Sequence, residues 1–181
     1  MIIRFFILLF AALVAAAPAL GEIYRFTFTD AWDEDDVSSG FPADAHFTQL
    51  VGATHVLGAP LWTPGGVASP GIKDVAELGD PTVLSSEVDA AILAGTAGAY
   101  FKIRGLFNPP SSRTKLFEIF DDKPAISLIS MVAPSPDWFV GVSDFSLRDE
   151  NGWIENLAVD LIPLDAGTED GRLRPATLSE A

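Results

Sequence analysis

Two histidines and a crowd of carboxylates hold most of the chemistry open to this chain. His46 and His55 are its only histidines, both in the run "AHFTQLVGATH". Their odd separation puts them on opposite faces of a regular strand. No G-x-S-x-G elbow accompanies them, so an exported hydrolase is the weakest reading and hydrogen-bonding histidines are expected. Nor do they have the i, i+4 helical spacing of a paired metal site. The chain has no cysteine, which excludes disulfides, thiolate metal sites and Cys nucleophiles together.

The carboxylates fall into three groups. "DEDD", Asp33–Asp36, sits in a loop broken by Gly40 and Pro42. Four adjacent acids repel one another and lack the Gly and Glu positions of an EF-hand, so a solvated loop is expected. Asp137 is different. It interrupts the apolar stretch "SMVAPSPDWFVGVSD", where desolvating a charge is costly. The third group is the turn "PLDAGTEDG", with Asp165, Glu169 and Asp170 and no lysine. Carboxylates folded toward each other need a positive charge between them. A hard cation suits them, and Ca²⁺ tolerates irregular loops with oxygen ligands at ~2.3–2.6 Å. From spacing alone, a turn with solvated acids is the favoured reading and a Ca²⁺ site the other.

The elements that must carry these groups are mainly strands. In "EIYRFTFTD", Glu22–Asp30, Tyr24, Phe26 and Phe28 share one face, which predicts a strand with that face buried. "AHFTQLVGATHV" predicts a second strand with an irregularity near Gly52. Four further β-type runs follow at Ala99–Leu106, Lys115–Phe120, Ala125–Val132 and Trp138–Val142, and a last long run spans Trp153–Leu164, closed by Asp165. Between them, "IKDVAELG" allows two helical turns ending at Gly79, and Pro81–Leu93 is the best helix candidate. The loop "PLWTPGGVASPG" carries Trp62. An inward anchor is favoured for that residue, with a grip on a glycan or protein ligand as the alternative. The expected fold is all-β: an antiparallel β-sandwich with one or two short helices in long connections.

"MIIRFFILLFAALVAAAPALG", residues 1–21, has one basic residue, an apolar core and a small-residue end, the outline of a secretory signal peptide. The expected destination is therefore extracellular or periplasmic, with no membrane span once the signal is cleaved. The net charge of −14 becomes one unit more negative when Arg4 is removed with this segment. Such a chain is a poor partner for nucleic acid or anionic lipid and a weakly better one for cations. The tail, residues 175–181, has no core pattern.

Taken in order, "AHFTQLVGATH", "LWTPGGVASPGIKDVAELG", "SLISMVAPSPDWFVGV" and "DLIPLDAGTEDG" resemble the spondin N-terminal domain over residues 22–174. The resemblance implies a C2-like β-sandwich with one Ca²⁺ bound among loops at one end, in an extracellular module for matrix or adhesion-type contacts, without catalysis. It implies Asp137, of "SPDW", and Asp165, of "DAGT", as calcium ligands. A third ligand follows "DAGT", where the relatives carry Asp and this chain has Glu169 and then Asp170. Ca²⁺ would relieve the repulsion among these acids, with the modest affinity of extracellular modules, ~10⁻⁴–10⁻³ M. The unknown partner would be an extracellular protein or glycan.

Overall fold

The computed structural model describes residues 21–30, 42–108 and 110–168. The signal-like segment up to residue 20, the acidic run Asp33–Asp36, Glu169, Asp170 and the tail lie outside the described residues.

Among the described residues every strand pairing is antiparallel, in a sandwich-like arrangement with two helices. β1 (Gly21–Thr29) pairs along its whole length with β6 (Ser112–Phe120), from Gly21 opposite Phe120 to Thr29 opposite Ser112. A larger sheet has β7 (Ala125–Ala133) at its centre, with β8 (Trp138–Ser146) on one side. On the other side lie two collinear segments, β2 (His46–Phe47) and β3 (Leu50–His55). Outside these, β5 (Leu106–Phe107) pairs with β2 and β4 (Ala97–Ile103) with β3. A short hairpin joins β9 (Arg148–Asp149) to β10 (Gly152–Trp153), and β11 (Leu164–Asp165) closes the far edge beside β8.

The two faces of the large sheet have different covers. The β1–β6 ribbon lies over one face, where Phe28, Phe101, Ile119, Ile126, Leu128 and Val140 form a core. The aromatic face of β1 joins this core through Tyr24 and Phe26, as its alternation predicts, while Ile23 stays exposed. The other face carries α1 (Pro70–Leu78) and α2 (Thr82–Leu93), which pack Ile72, Val75, Leu84 and Val88 against Val51, Ile129 and Phe139. With both faces covered, every residue of β7 is buried, which explains why its sequence is apolar apart from Ser127 and Ser130.

Local chemistry fixes the helices. Ser69 accepts the Ile72 N–H to open α1, and Gly79 closes it at φ 65°, a left-handed turn that favours glycine. Glu87 of α2 joins the pair: its carboxylate accepts the Gly71 N–H at 2.8 Å and the Ser69 hydroxyl at 2.7 Å. Among the described residues no helix is long and apolar enough to cross a membrane.

Two expectations need correction. The Trp153–Leu164 run is not a strand; only its ends pair, in β10 and β11. Its alternation finds no partner strand, and Leu157, Val159 and Ile162 stay exposed while Trp153 and Leu161 reach the core. The irregularity expected near Gly52 is the register shift between Ala53 and His55, and a further break at Thr48–Gln49 separates β2 from β3. Finally, Arg104 and Gly105 divide the Ala99–Leu106 run into β4 and β5.

Candidate metal centre

Asp137 stands immediately before β8 and is 1 % exposed. The chain reaches it through "APSP", where the Ala133–Pro134 bond is cis and the Ser135 hydroxyl accepts the Trp138 N–H at 3.0 Å. This turn lets Trp138 and Phe139 pack into opposite cores while the carboxylate stays at the strand end.

The neighbouring acidic segment is tied to that carboxylate. Asp165 lies opposite Trp138 in the β8–β11 pair, and the Ala166 N–H donates to the Asp137 carbonyl at 3.2 Å. Asp165 Oδ1 accepts the Gly167 N–H at 2.7 Å, forming a tight turn with Gly167 at φ 67°. The turn aims Thr168 back at Asp137. Asp137 Oδ2 accepts the Thr168 N–H at 2.9 Å and its hydroxyl at 3.3 Å. Two backbone segments and one buried carboxylate therefore form a single knot at this end of the sheet.

The donor set has the chemistry of a hard-cation site: carboxylates, a hydroxyl and main-chain carbonyls, with no sulfur and no imidazole. Asp137, just before β8, and Asp165, on β11, lie on neighbouring segments, with Asp165 exposed and Asp137 buried. Among the described residues no three acidic or histidine side chains converge. Thr168, held against Asp137, is followed directly in the sequence by Glu169 and Asp170, which lie outside the described residues.

The remaining candidates are spread over the molecule. Trp62 is turned inward: its indole N–H donates to the Leu128 carbonyl at 3.1 Å, and its ring meets Phe139 edge-on at 5.1 Å. That packing is the inward anchor favoured for Trp62. His46 stacks on Phe107 with ring centres 4.8 Å apart. His55, at the end of β3, is fully buried.

Sequence reasoning missed what surrounds His55. Its Nε2 lies 2.8 Å from the Ser127 hydroxyl and its Nδ1 is 2.9 Å from the Val56 carbonyl, with Asp144 Oδ1 at 3.8 Å. These three residue types are those of a hydrolase triad, but the geometry differs. Ser127 and His55 are both fully buried, and the Ser127 oxygen accepts the Asp144 N–H at 3.2 Å and the Leu61 N–H at 3.4 Å. Its own proton then goes to Nε2, and Nδ1–H serves the Val56 carbonyl. The Asp144 carboxylate is occupied by the Gly58 N–H at 2.9 and 3.1 Å. The cluster ties β3, β7, β8 and the 56–61 loop together. Spacing alone gave no signal, because Ser127 meets His55 only through the β3–β7 register.

Comparison with known proteins matches residues 22–177 to the Spondin_N family model. Spondin-1 of Homo sapiens is 35 % identical over 154 residues, which cover 82 % of this chain and 19 % of that protein. Spondin-1 of Gallus gallus is 34 % identical over a stretch of the same length. Spondin-2 of Homo sapiens is 31 % identical over 167 residues, covering 87 % of this chain and 49 % of that protein. The chain thus spans about a fifth of one kind of relative and about half of the other.

Proposed function

The chain belongs to the Spondin_N family, and from that premise we propose that it is a secreted, non-catalytic, calcium-binding β-sandwich module that makes adhesion-type contacts at an extracellular surface or matrix. One observation carries the calcium reading. The Thr168 N–H bond to buried Asp137 delivers the acidic turn to the only carboxylate at the start of β8. Asp137 and Asp165 would hold the ion, and Glu169 or Asp170 would complete the carboxylate set. When bound, Ca²⁺ neutralises these acids and cross-links the β8 entrance to the 164–168 segment. The protein's own part is to bury Asp137 and to orient the turn through Gly167 and Thr168.

Thermal melting in Ca²⁺ and in chelator tests the reading. At 100-fold excess over its dissociation constant, the ion should stabilise the fold by about 2.7 kcal/mol. Glu169→Gln and Asp170→Asn then identify the third ligand, because only the true ligand's loss removes the response. A midpoint indifferent to Ca²⁺ in the parent protein rejects the calcium site. Secretion is tested separately, by the N-terminal sequence of the exported protein, which the signal reading expects to begin at or near Glu22.

A further inference from the structure

The strongest positive feature of this acidic protein lies far from its acids' knot. A cavity of about 570 Å³ opens between the free edge of β4 and β6, and Lys102, Arg104, Arg113 and Lys115 line it. These are four of the eleven Lys and Arg residues in a chain with 25 acids. Among the described residues no Asp or Glu lines the cavity. Elsewhere Lys73, Lys123 and Arg148 each pair with a nearby carboxylate, but among the described residues none of the four cavity cations lies within 4 Å of one. Gathering like charges is unfavourable, and an anionic ligand would relieve their repulsion.

Two more features narrow the ligand. Gln49, on the cavity wall, holds its Oε1 buried without a hydrogen-bond partner, an acceptor that a hydroxyl donor satisfies. Phe107, 49 % exposed and backed by the His46 ring, offers a flat apolar face beside the cations. Lys115 is already positioned, its Nζ bonded to the Lys102 carbonyl at 3.2 Å and lying 5.2 Å above the Phe117 ring. Anionic groups, hydroxyl donors and an apolar ring face coincide in acidic sugars. We propose that this cleft binds an acidic saccharide, a carboxylate- or sulfate-bearing stretch of a glycan, at a site separate from the calcium site. The remote acids do not prevent this, since the Debye length at physiological salt is about 8 Å.

Calorimetric titration of the whole protein with oligogalacturonate, dextran sulfate and uncharged dextran, in chelator throughout, tests the proposal. At least one acidic probe should bind, uncharged dextran should not, and affinity should fall as salt rises from about 0.05 to 0.5 M. Arg104→Gln with Lys102→Gln should weaken binding at least ~10-fold. Lys73→Gln on α1 should leave binding intact, and melting curves should show all variants folded. Gln49→Leu should weaken the sugar but not inorganic sulfate, which has no hydroxyl to offer at neutral pH. Failure of both acidic probes to bind, equal loss in Lys73→Gln, or undiminished binding in the double variant overturns the proposal. A single-stranded oligonucleotide that binds more tightly than either probe overturns the saccharide assignment.

Discussion

The Thr168 N–H donates to Asp137 Oδ2 across 2.9 Å, joining residues 31 positions apart in sequence at one end of the large sheet. The bond gives Asp137 a structural role that can be tested apart from metal binding. In chelator, Asp137→Ala removes the acceptor and leaves the Thr168 N–H without it, which should cost ~1–3 kcal/mol in urea denaturation. Asp137→Asn retains an amide oxygen and should cost less than the Ala variant. If calcium binds here, both variants should lose the ion's stabilisation. Equal stability of the Ala variant and the parent in chelator would remove the structural role.

The strand content was legible because it rests on short-range pattern, whereas the Asp137–Asp165 neighbourhood came only through the family resemblance, since it depends on the β8–β11 pairing. Phe26 and Phe28 alternate with polar residues, "APSP" must turn, and Gly167 permits a tight bend. The His55–Ser127 contact was not legible, since it depends on which strand β3 chooses as neighbour. Trp153–Leu164 misled for the opposite reason. Its apolar positions resemble a strand's, but a strand needs an edge to pair with, and only the ends of the run, Trp153 and Leu164, find one. The cation cleft was equally hidden: Lys102 and Lys115 belong to different strands that approach only when the ribbon folds over the sheet.

The His55 cluster makes a stability prediction. Ser127→Ala removes one donor to His55 Nε2 and one acceptor for two backbone N–H groups. With all of them in the interior, the expected loss is ~1–3 kcal/mol, read by chemical denaturation. Asp144→Asn keeps an oxygen for the Gly58 N–H and should cost under ~1 kcal/mol. Ester hydrolysis by the parent that disappears in Ser127→Ala, with the fold retained, would mean that the buried serine is reached by substrate after all.

A pH dependence follows from Asp80, just before α2. Its carboxylate accepts the Thr82 hydroxyl at 2.6 Å and the Thr82 N–H at 2.9 Å. The side-chain bond first, then the backbone bond, holds the carboxyl below its usual value. A lowered folded-state pKa means the contribution is complete above the unfolded-state value and is lost as pH falls through the folded one. Asp80→Ala should therefore melt below the parent at neutral pH, and the gap should close below about pH 4. A gap that stays constant into acid would show that the charge is not involved.

The contact between Trp62 and β8 yields the sharpest steric prediction. A Cβ built on Gly141 would lie 2.2 Å from the Leu128 carbonyl oxygen and 3.1 Å from Trp62 Cζ2. The first clash is with the backbone of β7, the second with a side chain that could shift. Gly141→Ala must therefore push β7 and β8 apart, at an expected cost of ~3 kcal/mol or more. Trp62→Ala should also destabilise, by about 3 kcal/mol, through lost packing on Phe139 and the lost indole bond to Leu128. If the backbone clash dominates, the double variant should be no more stable than Gly141→Ala alone. Recovery of stability in the double variant, measured by circular dichroism during urea denaturation, would instead assign the glycine requirement to the indole ring.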